Sequence, residues 1–224
     1  MSINIRCKLL PIKILSTAVA LSPDCVKSSA LDEKLNKPTG YVEKRSGVTQ
    51  RFHASYTAKL AELGVAAIND ALKGNGIAPE SIDLLISASA IAIQALPFSA
   101  AQLLKISPLH DATASFDINT SCLSFVTALQ VAACLLNTGT YKRIAIVSSE
   151  IPSRGLDWSD EESSLIFGDG AACVIVERGD GNSGICSFLL ETYPTASRIG
   201  LTLMQKKMNI AQEKVIDIYR HRGN

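Results

Sequence analysis

A cysteine stands where a short apolar segment gives way to a long apolar helix, at Cys122 in the stretch 116–125, F-D-I-N-T-S-C-L-S-F. The unpaired N–H groups and the positive dipole end of a helix N-terminus favour a thiolate at such a place. Since the thiolate is the reactive form of cysteine, the pattern predicts a nucleophile. The predicted geometry resembles the strained strand-to-helix turn that presents a nucleophilic serine in other enzymes.

Two other interpretations of this stretch stay open. Free cysteine is among the most buried residue types, so the first alternative is that Cys122 is a small core residue. Asn119, Thr120 and Ser121 also form an N-glycosylation sequon, which acts only in a secretory compartment.

Strand and helix signals on both sides of the turn predict the elements that position it. Continuous apolar runs are typical of buried strands, and they lie at 82–88, Ala114–Ile118, 144–148, 172–176 and 184–193, after a first strand at 12–18. Helical periodicity marks residues 57–73, and a short helix is expected after Pro97. The helix at 122–136 is apolar on nearly every face, which predicts packing on both of its sides.

The order of these elements predicts an α/β protein with a largely parallel sheet. A helix covered on both sides further predicts a sheet on either side of it, and therefore a layered arrangement. The last twenty residues carry one apolar helical stripe, formed by Met204, Met208, Ala211, Val215 and Ile218. We expect this helix to pack on its own domain, the alternative being a helix that lies on a membrane surface.

The composition excludes several classes of protein. The 224 residues are 47% hydrophobic and carry a formal net charge of +1. A near-neutral chain lacks the basic excess of nucleic-acid-binding proteins, and this hydrophobic content argues against disorder. No run of about 18 apolar residues is recognised, so no membrane span is expected. The length suits one large domain or two small ones.

The cysteines and the N-terminus both bear on the compartment. Six cysteines and three histidines are present without a C-x-x-C pair, so no metal site is expected. A chain this long and apolar does not need disulfides, which predicts free thiols in a reducing, cytoplasmic compartment. Arg6 and Lys8 precede a short apolar stretch, but Pro11 and Lys13 interrupt it, which favours a first strand over a signal peptide.

Four segments, in this order and at this spacing, resemble the β-ketoacyl-ACP synthase III family of the thiolase superfamily. They are Y-V-E-K-R-S-G-V at 41–48, A-L-P-F-S-A-A at 95–101, D-I-N-T-S-C-L-S-F-V-T-A-L at 117–129 and I-F-G-D-G-A-A at 166–172. The resemblance implies a thiolase-like layered fold of the α-β-α-β-α type. Residues 1–200 would be its N-terminal half and residues 201–224 a helical C-terminal segment, with the family's catalytic C-terminal half absent.

The resemblance also implies an acyltransferase that works through a covalent acyl-enzyme. Cys122 would take an acyl group from a thioester, and decarboxylation of malonyl-ACP would supply the carbanion that converts it into a β-ketoacyl product. The backbone N–H of Cys122 would help to hold the oxyanion, and Arg45 would hold the donor's phosphates. Leu96 would limit acyl length by reaching across a dimer interface. The alternatives are a surface charge for Arg45 and a core side chain for Leu96.

These roles imply substrates and partners but no resident cofactor. Acyl-CoA or acyl-ACP would be a substrate, and the partners would be an acyl carrier protein and a second chain in a homodimer or heterodimer. The family stacks the donor's adenine between an aromatic residue and an arginine, and here those positions are Tyr41 and Glu161. A carboxylate neither stacks as a cation nor attracts phosphates. Acetyl-CoA is therefore not the expected donor, and an acyl-ACP or another thioester stays open.

The second departure from the family's pattern is the missing half, which supplies the histidine and asparagine that stabilise the carbanion. His53, His110 and His221 do not stand in that catalytic context. Without the second half, one sheet face and the central helix would be left as an exposed apolar patch. The alternative function is therefore a non-catalytic homologue that acts as a binding or dimerising subunit. A third interpretation, an unrelated hydrolase, lacks a G-x-S-x-G motif.

Overall fold

The computed structural model describes residues 9–94 and 96–192. The main element of this part of the chain is a mixed sheet of five strands. The strands are β1 (Leu10–Pro11), β2 (Lys13–Leu21), β3 (Asp24–Lys27), β4 (Gln50–His53), β5 (Leu84–Ala88), β6 (Ala114–Ile118), β7 (Arg143–Glu150), β8 (Gly170–Glu177) and β9 (Gly184–Ile185). The helices are α1 (Ser28–Lys34), α2 (Tyr41–Ser46), α3 (Leu60–Gly74), α4 (Ser99–Ile106), α5 (Ser124–Thr138) and α6 (Glu161–Ser164). Single 3-10 turns lie at Pro79–Ser81 and Pro152–Gly155.

The sheet has the strand order β2-β8-β7-β5-β6 and mixes strand directions. β5 is parallel to β6 and to β7, whereas β8 is antiparallel to β7 and to β2. The predicted α/β class is confirmed, but the prediction of a largely parallel sheet is wrong. A parallel return needs a crossover, usually through a helix. Between β7 and β8 the chain forms only a 3-10 turn and the four-residue α6, and β8 returns antiparallel.

Helices cover both faces of this sheet, and the alternation of side chains along the strands assigns each face its core. Leu85 packs in the cluster that α3 and α4 share, whereas Leu84 and Ile86 pack in the cluster formed with α5. On α3, a Cβ at Gly64 would lie 2.7 Å from Leu103 Cδ2 of α4 and 3.3 Å from Ser149 Cβ of β7. Glycine at this position therefore permits α3 to approach both elements closely.

α5 differs from its prediction at its start and on its outer face. The helix begins at Ser124, so Cys122 precedes it instead of forming its first turn. Ala132 and Leu136 are buried against the sheet, whereas Leu123 and Val126 are each 49% exposed. The expected packing on both sides is not met in the described part of the chain, because those residues provide a sheet on one side of the helix only.

The expectation of no long apolar run also needs correction. Residues Ser121–Thr138 have a mean hydropathy of 1.5 and, by length and composition alone, would be able to cross a membrane. The core helix of a soluble protein meets the same criteria, and the buried face of α5 packs against the sheet in this way. The stretch is therefore weak support for a membrane span.

The two ends of the described chain give mixed outcomes. The first strand is confirmed, since β2 runs from Lys13 to Leu21 and pairs with β8. The predicted strand at 184–193 shortens to Gly184–Ile185, which pairs with β1, because no partner strand accompanies residues 186–192. The predicted boundary at residue 200 and the C-terminal helix lie outside the described residues.

A small unit of β3, β4, α1 and α2 packs beside the sheet around Leu31, Val42 and Leu165. The buried carboxylate of Asp32 in α1 accepts hydrogen bonds from the backbone N–H groups of Gly40 (2.7 Å) and Val42 (2.8 Å). These bonds fix the start of α2 against α1 because they satisfy N–H groups that a helix N-terminus leaves unpaired.

The two faces of α5 predict opposite responses to truncation. We expect Leu136→Ala to lower the free energy of unfolding by about 2–5 kcal/mol, since it leaves a cavity in the core. Val126→Ala, on the exposed face of the same helix, should change it by less than about 1 kcal/mol. Urea unfolding followed by circular dichroism measures both values, and equal losses would contradict this assignment of the faces.

Candidate active site

Three loops meet at one edge of the sheet because β5, β6 and β7 are parallel. The register pairs Ala88 of β5 with Ile118 of β6, and Ser87 of β5 with Val147 of β7. The residues that follow these strands therefore emerge side by side at the carboxyl edge, where ligands commonly bind in α/β proteins. Cys122 lies in the loop after β6, and Glu150 ends β7 at the same edge.

Cys122 occupies the sharp turn between β6 and α5. Ser121 has a positive φ of 55°, in the left-handed region that non-glycine residues rarely adopt. The Ser124 hydroxyl accepts a hydrogen bond from Thr120 N (3.0 Å) and donates to the Ser121 carbonyl (2.6 Å), which closes the turn. Cys122 is exposed. The strand-to-helix turn is therefore confirmed, and the alternative that Cys122 is a buried core residue is wrong.

A carboxylate on β6 joins this turn to the loop that contains Leu96. Asp117 accepts hydrogen bonds from the backbone N–H groups of Ser99 and Ala100, both at 2.7 Å, at the start of α4. The Leu96–Pro97 peptide bond just before α4 is cis. Leu96 is 86% exposed, so the alternative of a core side chain is wrong. Asp117 thus ties the start of α4, three residues after Leu96, to the strand that leads to Cys122.

The G-D-G turn at residues 168–170 fastens three segments of the chain together. The Asp169 carboxylate accepts hydrogen bonds from Ala54 N (2.6 Å) and Ser153 N (2.9 Å), and also from the Ser153 hydroxyl. Asp169 is only 4% exposed. A Cβ at Gly168 would lie 3.1 Å from Arg51 Cβ and 3.3 Å from the Phe52 carbonyl, so β4 passes close to the turn. The role of this motif in the described chain is structural.

Tyr41 and Glu161 belong to a second cluster, on α2 and α6. The Tyr41 hydroxyl donates a 2.6 Å hydrogen bond to Glu161, and Lys37 Nζ lies 2.6 Å from the other carboxylate oxygen. Lys37 Nζ also lies 5.1 Å from the centre of the Tyr41 ring. These contacts hold the pKa of Glu161 below its usual value and raise the pKa values of Lys37 and Tyr41. Glu161 is therefore a paired carboxylate.

Arg45 is exposed on the same short helix as Tyr41, and its charge acts on Lys37, Tyr41 and Glu161. Next to this cluster, Lys34 Nζ lies 3.6 Å from the centre of the Trp158 ring. The structure therefore brings Tyr41 and Arg45 together, whereas Leu96 is linked through Asp117 to the strand of Cys122.

The remaining titratable side chains do not form a metal site in the described residues, in which no three metal-ligating groups come together. The five described cysteines are free. The His53 ring packs edge-on against Trp158, and His110 Nδ1 accepts a hydrogen bond from Ala112 N at 3.0 Å. His221 lies outside the described residues.

Asp117, Glu150 and Asp169 are groups that sequence reasoning did not single out. Asp117 stands inside the apolar run Ala114–Ile118, and a charged residue in a buried strand was the signal that could have identified it. Glu150 follows the apolar run 144–148 closely, at the edge to which parallel strands bring their carboxyl ends.

Comparison with known proteins identifies relatives of this arrangement. The family of 3-oxoacyl-[acyl-carrier-protein] synthase III matches residues 116–194. The chain is 30% identical over 206 residues to the β-ketoacyl-[acyl-carrier-protein] synthase III of Synechocystis, which covers 92% of this chain and 62% of that protein. It is 32% identical to the Rickettsia bellii protein of the same name, over 77% of this chain and 54% of that protein. The chain thus spans about half to three-fifths of the length of these relatives.

Solved structures of this kind share the fold. The synthase III structure from Thermus thermophilus superposes with a TM-score of 0.76 at 23% identity, covering 83% of this chain and 57% of that one. The Aquifex aeolicus structure gives a TM-score of 0.67 at 27% identity, covering 75% and 54%. The mixed α/β fold of this chain is therefore the thiolase-like fold, matched over about half of these structures.

The Asp117 contacts predict a loss of stability on truncation. Asp117→Ala removes the acceptor of two backbone N–H groups at the start of α4, and we expect the free energy of unfolding to fall by about 1–3 kcal/mol. Asp180→Ala is the matched control, because Asp180 is exposed and bonds only locally to Asn182. Denaturant titration of both variants is the measurement, and equal stabilities would refute the capping role.

The cysteines should differ in reactivity according to their burial. Cys122 is exposed, whereas burial raises the pKa of the Cys173 thiol to about 12. At mildly alkaline pH the Cys173 thiol therefore stays protonated and shielded in the folded chain. We expect iodoacetamide to modify Cys122 under native conditions and Cys173 only after unfolding, as measured by peptide mass mapping. Native labelling of Cys173 would contradict its position in the core.

Proposed function

Because this chain is a homologue of the β-ketoacyl-ACP synthase III family, we propose that Cys122 accepts an acyl group from a thioester and passes it on in a decarboxylative condensation. The observation that carries the proposal is an exposed cysteine on a strand-to-helix turn, inside the segment that matches the family. Such a turn presents the sulfur to a substrate while the helix N-terminus behind it favours negative charge.

The first step of the proposed reaction is acyl transfer. The Cys122 thiolate attacks the thioester carbonyl, the tetrahedral intermediate collapses, and the donor leaves as a thiolate that takes up a proton. The backbone N–H of Cys122 stabilises the oxyanion that forms on the carbonyl oxygen. The product of this step is an acyl-enzyme thioester on Cys122.

The second step is condensation with malonyl-ACP. Loss of carbon dioxide leaves a carbanion on the carrier-bound acetyl unit, which attacks the acyl carbonyl and expels the Cys122 thiolate, giving a β-ketoacyl-ACP. The resemblance assigns the groups that stabilise this carbanion to the second half of the family's fold. We therefore assign acyl transfer to the residues of this chain and condensation to an assembly that also contains those groups.

A second candidate function rests on the outer face of α5. Leu123 and Val126 leave about half of their surfaces exposed next to Cys122, as would suit a chain that binds another protein without catalysing a reaction. A non-catalytic binding or dimerising subunit and an acyl-accepting one differ in a single respect, which is whether Cys122 becomes acylated.

The contacts of Glu161 favour one class of acyl donor over another. Where the family's arginine would stack on adenine, this chain has a carboxylate that is bonded to both Tyr41 and Lys37. A nucleotide would have to break these contacts and bring its phosphates near a negative charge. We propose an acyl-ACP donor, with acyl carrier protein as the partner, in preference to acyl-CoA. Arg45 is the proposed phosphate contact of the carrier's prosthetic group.

Leu96 and the compartment complete the proposal. An exposed Leu96 on a loop fixed by Asp117 is suited to close the acyl pocket of a second chain, in a dimer. Cytoplasm is the proposed compartment, because the nucleophile has to remain a reduced thiol and such compartments keep thiols reduced.

Acylation of the sulfur is the direct test of this function. We expect the intact mass of the chain to rise by one acyl group after incubation with acyl-ACP, and the same increase in Cys134→Ala. Cys122→Ala should show none. If no acyl-ACP or acyl-CoA donor adds mass to the wild-type chain, the binding-subunit function is favoured.

Reversing the charge at residue 161 should change the donor preference. We expect Glu161→Arg to raise the acylation rate with acyl-CoA about tenfold relative to that with acyl-ACP, because the Tyr41 ring is freed and a stacking cation is restored. Glu43→Arg is the control, an equal charge change at an exposed position of α2. Rapid quench-flow with mass detection gives both acylation rates. An unchanged ratio of the acyl-CoA rate to the acyl-ACP rate would show that Glu161 does not select the donor.

A further inference from the structure

A carboxylate at the end of β7 lies at one end of a hydrogen-bonded chain that reaches the residue before Cys122. Glu150 accepts hydrogen bonds from the backbone N–H groups of Ala90 and Ile91, the latter at 3.2 Å, in the loop after β5. The Ala90 carbonyl in turn accepts a 3.0 Å hydrogen bond from the side-chain amide of Asn119. The carboxyl ends of three parallel strands are therefore joined by side-chain bonds as well as by the sheet.

Asn119 carries the connection onward to the nucleophile's turn. Its Oδ1 accepts a hydrogen bond from Ser121 N at 3.0 Å, while its Nδ2 is held by Ala90. Both ends of the amide are thus engaged, and its orientation is fixed. Ser121 is the residue with a positive φ of 55°, a conformation that persists only when the surroundings hold it. Release of the Asn119 side chain would remove one of the hydrogen bonds that hold Ser121 in this conformation.

Glu150 is suited to anchor this chain. An ionised carboxylate is an acceptor only, and it matches two adjacent N–H donors that no strand partner satisfies. Glu150 is half-buried, and this burial raises its pKa, whereas the two N–H bonds act in the opposite direction. Replacing one carboxylate oxygen by an amide NH2 group, as in glutamine, would leave one of the two N–H groups unpaired and loosen the loop that orients Asn119.

We propose that Glu150 is a positioning residue for the Cys122 nucleophile, acting through the Ala90 loop and the Asn119 side chain. The inference deepens the proposed acyl transfer and rests on it for its functional meaning. It assigns to Glu150 the orientation of the turn that presents the sulfur, and no contact with the substrate. The predicted signature is a slower reaction of Cys122 with unchanged donor binding.

The experiment compares three variants of the full chain, namely Glu150→Gln, Asn119→Ala and the double variant. Glu177→Gln is the matched control, because Glu177 also ends a strand but lies at the opposite edge of the sheet. Its carboxylate forms ion pairs with Lys13 (3.6 Å) and Arg143 (3.3 Å). The first readout is the iodoacetamide rate of Cys122 relative to that of Cys134, an exposed cysteine on α5 that reports general loosening. This readout requires no acyl donor.

We expect Cys122 to react about fivefold more slowly in Glu150→Gln and in Asn119→Ala, the order of effect of one lost hydrogen bond. Cys122 is already exposed, so loosening its turn adds little access and chiefly lets the sulfur leave its position just before the start of α5. Cys134 should react at the wild-type rate in all variants, and Glu177→Gln should match the wild-type chain. Because the two residues act in series, the double variant should be no slower than Asn119→Ala alone.

The second readout is acylation by acyl-ACP, in which the rate at saturation should fall with the half-saturating donor concentration unchanged. The inference is overturned if Cys122 in Glu150→Gln reacts within twofold of wild type, if the effects of the two substitutions multiply, or if Cys134 changes in parallel. If the proposed function is wrong, the wild-type chain is never acylated. The alkylation rates of Cys122 then still test its link to Glu150.

Discussion

The parallel hydrogen bonding of β5, β6 and β7 is the constraint on which the candidate site depends. Since they run in the same direction in register, their carboxyl ends lie at one edge of the sheet, and the loops that follow them have to share that edge. Cys122, Asn119 and Glu150 come from two of those ends, although up to 31 residues separate them in the chain. Without this register, Cys122 would be an isolated cysteine on a surface turn.

Carboxylates then convert neighbouring loops into one rigid edge. Asp117 holds the start of α4, Glu150 holds the loop after β5, and Asp169 holds β4 to the segment after β7. Each accepts backbone N–H groups that no strand partner satisfies, and bonds of this charge-assisted kind are stronger than neutral ones. Glu161 behaves differently, because its partners are the side chains of Tyr41 and Lys37 at the surface. We propose that Glu161 affects which donor is accepted more than how the fold is held.

Sequence reasoning predicted the parts of the fold that local patterns determine. The run Ala114–Ile118 is a strand with those bounds, and the change of period after it predicted the strand-to-helix turn at Cys122. The exposure of Cys122 was not predicted, because position alone left a buried core cysteine open. The direction of β8 could not be predicted, because a short apolar run reads the same in either orientation. The exposed face of α5 was missed for a similar reason, since periodicity reports which side chains are apolar and not which neighbours are present to cover them. The contacts of Glu150 depend on the pairing of distant strands, which no local pattern contains.

We propose that the position of Cys122, and not its exposure alone, makes it the acyl acceptor. Cys25, Cys134 and Cys186 are exposed as well, so they serve as internal references. A chloroacetyl thioester of pantetheine, offered at a concentration near that of the chain, tests the claim directly by peptide mass mapping. We expect a single label per chain, on Cys122, with Cys25, Cys134 and Cys186 unmodified. Comparable labelling of the four exposed cysteines of the described chain would contradict this inference.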